Sequence, residues 1–385
     1  MRVICIAGAG SSDLAVKPVM DALAGRGAEV IAVHAGQRHD PPAGGGPASE
    51  LGLRPDHYLG AGPGSHAVRA AAVLTAFERL ADQLRPDVVV VAGDADSTLA
   101  CALVTAKCGA LLGYVGAGLR SEDWSGPAEV NRMVTDRVSD YLFAASPDAA
   151  ASLRAEGCAD ERIRLVGNVM VDSLLASHGR ALGGDTLARL GLTPGGYGLV
   201  ALGLAGLAGD AGALRSLLPA LDRVARMCPL VWPAHPRLAA RLAGGGRTGR
   251  LLVVRPARYL DFVALQASAL LVLTDSCGVQ EATTALGVPC LTLRDTTERP
   301  VTLSQGTNQL VGSDPERIVG AARAALETPP PPRRPALWDG RAGERVAAEI
   351  VSGGGAGDRR LAAVPRPRPA AAAEDGTEGG SGSMC

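Results

Sequence analysis

Residues 2–7 (RVICIA) form a short apolar, largely β-branched run that stops at Gly8-Ala9-Gly10-Ser11-Ser12. Leu14, Pro18, Val19, Met20 and Leu23 then recur at helical spacing. The pattern predicts a strand, a tight turn and a helix. Further apolar runs follow at 29–34, at 88–91 (closed by Ala92-Gly93-Asp94), at 111–115 and at 141–144, with helical stretches such as 67–84 between them. Strands apolar on both faces and alternating with helices predict a parallel sheet covered on either side. A second series begins after Gly183-Gly184 and Pro194-Gly195-Gly196, with runs at 198–202, 229–232, 251–254, 270–273 and 289–293. The chain therefore reads as α/β, with one domain over 1–180, a second over 190–328, and a boundary near 175–195. Ligands of such architectures bind at the carboxyl ends of the strands, here the cleft between the units. Residues 329–335 (PPPPRRP) predict a stiff spacer leading to a last helix near 343–351, so that spacer and helix occupy 329–352. From 353 to 385 the Gly, Ala, Pro, Ser and scattered charge predict a disordered tail.

Composition narrows the chemistry. Lys plus Arg number 38 and Asp plus Glu 39, giving a net charge of −1, so no global field draws the chain to nucleic acid or to an acidic membrane. Any bound anion must be held locally. Scarce aromatics argue against stacking platforms for single-stranded nucleic acid. The eight cysteines include no C-x-x-C pair and several sit in apolar runs, which suits a reducing compartment. The opening apolar run is too short for a signal peptide or a membrane span, and a soluble cytoplasmic protein is expected.

Several motif classes fail. Gly8-x-Gly10 follows a strand, but Asp13 occupies the third glycine position of a dinucleotide fingerprint, and Val33-His34-Ala35 offers no ribose-binding acid. No P-loop or G-x-S-x-G nucleophile elbow occurs, and the histidines do not fall at metal-ligand spacing. No cofactor and no metal are expected. The informative stretch is 273–300, LTDSCGVQEATTALGVPCLTLRDTTERP. A buried strand runs into Thr274-Asp275-Ser276-Cys277-Gly278 and a helix opens near Val279, so small residues would let backbone N–H groups approach an anion at a helix N-terminus. The same turn reads equally as a plain strand-to-helix junction with Asp275 or Ser276 as N-cap.

This stretch resembles the nucleotide-binding segment of the non-hydrolysing UDP-N-acetylglucosamine 2-epimerases. Further matches run in that family's order: Gly36-Gln37, 86–94 (PDVVVVAGD), Ala117-Gly118-Leu119-Arg120, Asn131-Arg132, Asp136, Ser139-Asp140, Val166-Gly167-Asn168, His235-Pro236, 306–312 (GTNQLVG) and Asp339-Gly340. The resemblance implies two Rossmann-like domains of the GT-B type. It also implies a reaction that interconverts UDP-GlcNAc and UDP-ManNAc by eliminating UDP to a glycal and adding it back after C2 is reprotonated on the other face. Such chemistry needs a base, an acid on the opposite face, and cations or donors for the departing diphosphate.

Carried over residue by residue, the family's site is depleted here. The Arg and Lys of its first turn fall on Gly10 and Ala15. The Glu of His-Val-Glu-Ala-Gly-Leu-Arg falls on Gly116, and the first Glu of Pro-Glu-Glu-x-Asn-Arg on Ala128. The Gly-His-Arg-Arg-Glu loop becomes Gly203-Leu204-Ala205-Gly206-Leu207. The second Glu of Gln-Glu-Glu, assigned to the ribose, is Ala282, with Glu281 one residue before it. The resemblance leaves Asp94 as the catalytic group, Ser276, Cys277, Gly278, Glu281 and Arg294 as nucleotide-binding residues, and Arg132 and His235 as further cleft residues. For His235 a polar residue ending a loop is the commoner reading. Arg294 and Asp295 end a strand, where ligands gather. Gln37 matches a regulatory substrate position, but Arg38 replaces the histidine beside it, so allostery is not expected. The expectation is a UDP or UDP-sugar binder with weak or lost epimerase activity. The alternatives are an active epimerase using relocated groups (Asp13, Glu122, Asp123, Glu129), and a non-catalytic partner that pairs with itself or a paralogue.

Overall fold

The computed structural model describes residues 1–8, 11–36, 47–60, 62–121, 126–203, 210–243 and 250–353. The tail from 354 on, Ala9, Gly10, Gln37, Arg38, Glu122, Asp123 and the 204–207 stretch lie outside them. Two parallel sheets carry the chain. The first joins β1 (Arg2–Ala7), β2 (Glu29–His34), β3 (His57–Tyr58), β4 (Val88–Ala92), β5 (Leu111–Ala117), β6 (Tyr141–Ala144) and β7 (Ile163–Leu165) in the order β3-β2-β1-β4-β5-β6-β7. The second joins β8 (Gly198–Ala201), β9 (Leu230–Pro233), β10 (Leu251–Val254), β11 (Leu271–Thr274), β12 (Cys290–Thr292) and β13 (Asn308–Leu310) in the order β10-β9-β8-β11-β12-β13.

The fully apolar strands behave as their pattern requires, because successive side chains enter opposite cores. Ile4, Ile6, Val89 and Val91 pack on one face of the first sheet, Val3, Cys5, Val88 and Val90 on the other. In the second sheet Val200, Trp232 and Leu273 face one core, and Leu199, Val231 and Val272 the other. Strand order reverses between β1 and β4 and again between β8 and β11. Both reversals open crevices at the carboxyl ends, where crossover connections leave in opposite directions. The short edge strands β3, β7 and β13 go beyond the runs read from the sequence; each has two or three residues.

The stretch expected to hold the boundary is largely helical. The helix Val169–Leu182 packs Val171, Leu174 and Ala181 against Val263, Ala264, Ala285, Val301 and Trp338, and so bridges the two lobes. It also anchors the first helix, Ser11–Ala24. Pro18 inside that helix has no N–H for the Leu14 carbonyl four residues back, and the Ser173 hydroxyl donates to that carbonyl instead at 2.6 Å. The last helix, Ala342–Gly353, returns to the first sheet, where Ala342, Val346, Ala347 and Ile350 join the core of Val3 and Val16. A Cβ at Gly343 would lie 2.8 Å from the Pro18 carbonyl carbon, so this close approach requires glycine. We propose 1–180 and 190–328 as the lobe limits, with the last helix belonging by its packing to the first lobe.

Candidate functional site

The carboxyl ends of β4, β5, β8, β11 and β12 face one another across a cleft of about 1070 Å³. From the first lobe come Asp94, Tyr114, Gly116, Arg132 and Asn168, and from the second Ser276, Cys277, Gly278, Glu281, Arg294 and Arg299. Of the residues expected at the site, Asp94, Arg132, Ser276, Cys277, Gly278, Glu281 and Arg294 all line this cleft. His235 does not; it is exposed, and its Nδ1 accepts the Arg237 N–H at 3.2 Å as a local cap.

On the first-lobe wall Asp94 leaves the end of β4 and meets the helix Pro127–Val138. Arg132 Nη1 donates to Asp94 Oδ2 at 2.5 Å, and Arg132 Nη2 donates to Glu129 Oε2 at 2.5 Å. Asn131 Nδ2 donates to the Asp94 carbonyl at 2.9 Å and so fixes the loop that carries it. Glu129 is 2% exposed and also accepts the Ser121 N–H at 3.1 Å. Burial opposes its charge, but Arg132 and Ser121 outweigh it and hold its pKa below the ordinary value. This carboxylate is committed inside the wall rather than offered to the cleft. Tyr114 donates to the Gly93 carbonyl at 3.0 Å, and burial raises its phenol well above the usual range. Gly116 has φ +86°, a conformation that glycine adopts without the strain a side chain would bring, next to a register shift between Val115 and Ala117.

The second-lobe wall is built on the turn after β11. Ser276 N-caps the helix Cys277–Leu286 with no side-chain bond to it, leaving the first turn of N–H groups toward the cleft. The Cys277 thiol donates to Glu298 Oε2 at 2.7 Å, and Arg294 grips both Glu298 oxygens at 3.1 Å. Burial raises the Glu298 pKa, but Arg294 and Cys277 prevail and bring it to about 2; burial pushes the Cys277 thiol up to about 11. Glu281 pairs with Arg299 through Oε1, and its other oxygen is buried without a partner. Ala282, at the position the family resemblance assigns to the ribose, packs into the apolar junction between the lobes.

Arg299, Glu298, Tyr114 and Asn168 also line the cleft but are not among the expected site residues, Asn168 being matched only as part of Val166-Gly167-Asn168. A signal existed for Arg294 and Glu298, four apart on one loop. For Glu281 and Arg299, eighteen apart, none did. Several matched motifs turn out to be scaffold. Arg120 ties Asp136 and Glu156 together at 2.7 Å, and Asp140 accepts the Leu112 N–H at 2.8 Å to join strand ends. Among the described residues no cluster of three His, Cys, Asp or Glu side chains could hold a metal, and no helix is long and apolar enough to cross a membrane.

Comparison with known proteins shows the family and the fold. The family model described as UDP-N-acetylglucosamine 2-epimerase matches residues 21–351. The chain is 35% identical over 316 residues to a UDP-N-acetylglucosamine 2-epimerase of Methanococcus maripaludis, covering 79% of this chain and 86% of that one. It is also 35% identical over 300 residues to the UDP-2,3-diacetamido-2,3-dideoxy-D-glucuronate 2-epimerase of Pseudomonas aeruginosa, covering 77% and 84% respectively. The crystal structure of Methanocaldococcus jannaschii UDP-GlcNAc 2-epimerase in complex with UDP-GlcNAc and UDP superposes with a TM-score of 0.82 at 31% identity, over 91% of this chain and all of that one.

Proposed function

From the chain's membership of the UDP-N-acetylglucosamine 2-epimerase family, we propose that its cleft binds UDP or a UDP-sugar while epimerase turnover is weak or lost. One observation carries the reading. Among the described residues lining the first-lobe wall, Asp94 is the one carboxylate, and it is tied to Arg132, while Ala15 and Gly116 occupy positions where the family carries a cation and a carboxylate. Proton removal on one face of C2 and return on the other requires at least two carriers. Losing one such group costs on the order of 10²- to 10⁴-fold in rate. The helix N-terminus at Cys277 and the small residues beside it support retained binding of a diphosphate. We also assign the protein to the cytoplasm, in keeping with the free thiols among its described residues.

Two measurements test this. Calorimetric titration with UDP should give micromolar affinity, and no heat at millimolar UDP would sink the binding half. Incubation of UDP-GlcNAc in deuterated water should leave C2 essentially unlabelled. C2 deuteration with UDP-ManNAc formation at about 1 s⁻¹ or faster, an ordinary enzymatic rate, would sink the other half. The same assay with a 2,3-diacetamido uronic acid substrate addresses the sugar, since relatives of equal identity carry either name.

Asp13 favours a second reading, an active enzyme with relocated groups. It is 4% exposed, its Oδ1 lacks a partner, and burial raises its pKa to about 7, a range suited to acid–base work. It sits two residues before cleft-lining Ala15 but does not itself line the cleft. Labelling at C2 that disappears in Asp13→Asn would favour this reading.

A further inference from the structure

A cleft read as a UDP site has to hold a diphosphate, yet each arginine lining it already serves a carboxylate: Arg132 serves Asp94 and Glu129, Arg294 serves Glu298, and Arg299 serves Glu281. Donors for an anion must therefore come largely from neutral N–H groups. Two helices supply them from opposite lobes. The bridging helix Val169–Leu182 and the helix Cys277–Leu286 begin side by side, and a Cβ at Gly278 would stand 3.5 Å from Met170 Cε. Both first turns line the cleft. No acceptor is found among the described residues for the N–H groups of Cys277, Gly278 and Val279.

Asn168 completes this arrangement from the first lobe. Its Oδ1 caps the bridging helix by accepting the Met170 N–H at 2.9 Å, which fixes the amide plane. Its Nδ2 then has no partner although the residue is only 4% exposed. A buried amide donor without an acceptor is costly, and ordinary folds pair such groups. Asn168 lines the cleft, beside two helix N-termini whose dipoles favour negative charge.

We propose that the Asn168 amide donates to a phosphate oxygen of a nucleoside diphosphate seated on the Cys277–Val279 N–H groups, so that one anion is clasped by both lobes in place of the cations this chain lacks. The proposal rests on the reading of the cleft as a UDP site and names a first-lobe residue that holds the ligand there.

Two variants separate the amide from the cap. Asn168→Ser keeps a hydroxyl acceptor for the Met170 N–H and removes the donor; Asn168→Asp keeps the cap and adds a negative charge. Affinity for UDP is measured by calorimetry, affinity for uridine, which lacks the diphosphate, by NMR titration, and folding by thermal melting. The expected result is a UDP affinity about tenfold weaker in Asn168→Ser, as for loss of one hydrogen bond to a charged group, and weaker still in Asn168→Asp. Uridine affinity and melting temperature should stay close to those of the unaltered chain. Unchanged UDP affinity in both variants, or uridine affinity falling in step with it, overturns the role of Asn168 while leaving the UDP site standing. Absence of UDP binding by the unaltered chain overturns both.

Discussion

Asp94 lies 2.5 Å from Arg132, and Arg132 retains Glu129 as a second partner, so neutralising Asp94 leaves no orphaned cation in the wall. Asp94→Asn is therefore a clean probe of proton chemistry. Any residual C2 exchange should fall on the order of 10²- to 10⁴-fold, while UDP affinity changes by less than about threefold. Exchange that survives the substitution would remove Asp94 from the mechanism and turn attention to Asp13. Asp172 is the matching case for stability. Its Oδ2 accepts the Gly343 N–H at 2.7 Å at the start of the last helix, Oδ1 is buried without a partner, and burial outweighs that bond to raise its pKa to about 6. A carboxylate whose pKa is higher folded than unfolded favours the neutral native state, so its contribution is complete below about pH 4 and is lost as pH rises through 6. Asp172→Asn keeps an acceptor for Gly343 without the charge. It should flatten the fall in stability between pH 4 and 7 and raise stability at pH 8 by up to about 3 kcal/mol, read from urea denaturation at each pH. An unaltered pH profile would show that water reaches this carboxylate.

At the scale of elements, the Ser11–Ala24 helix depends on a neighbour to repair its own sequence. Pro18 frees the Leu14 carbonyl, and the Ser173 hydroxyl on the bridging helix takes it at 2.6 Å. Ser173→Ala leaves that carbonyl buried and unpaired, and should cost about 1–3 kcal/mol in urea denaturation. A loss below about 0.5 kcal/mol would mean that the helix relaxes around Pro18 by itself. This pairing is invisible in sequence because its partners lie 159 positions apart. The long apolar strands were legible for the opposite reason: a run such as Val88–Val91 admits no environment except a sheet covered on both faces. The short edges β3, β7 and β13 carry His57, Arg164 and Gln309, whose polarity hides a strand that pairs on one side. The bridging helix was hidden too, because its apolar side chains serve two lobes and form no single stripe.

For the molecule as a whole, the same limit explains which parts of the cleft could be read. Strand ends and a helix-opening turn are local patterns, which put Asp94 and Ser276 to Gly278 at the carboxyl ends of strands, while their roles come from the family resemblance alone. The choice of carboxylate by each arginine is a tertiary outcome, so the pairing of Glu281 with Arg299 is not legible in the sequence. What holds these walls in register is the junction around Trp338. Its ring is 1% exposed in the cluster that both lobes share, and its Nε1 donates to the Ala145 carbonyl at 3.0 Å after the chain has crossed back from the second lobe. Truncation of a buried Trp typically costs about 3–5 kcal/mol. Because this cost falls on the junction and on neither sheet, Trp338→Ala should split the calorimetric unfolding of the chain into two transitions instead of lowering a single one. A ligand gripped from both sides would also lose affinity as its two half-sites fall out of alignment, while a ligand held by the second lobe alone would not. Titrating UDP into Trp338→Ala at a temperature where both sheets remain folded distinguishes the cases. A single lowered transition with unchanged UDP affinity would mean that the lobes are coupled mainly through the bridging helix and that the nucleotide rests on one wall.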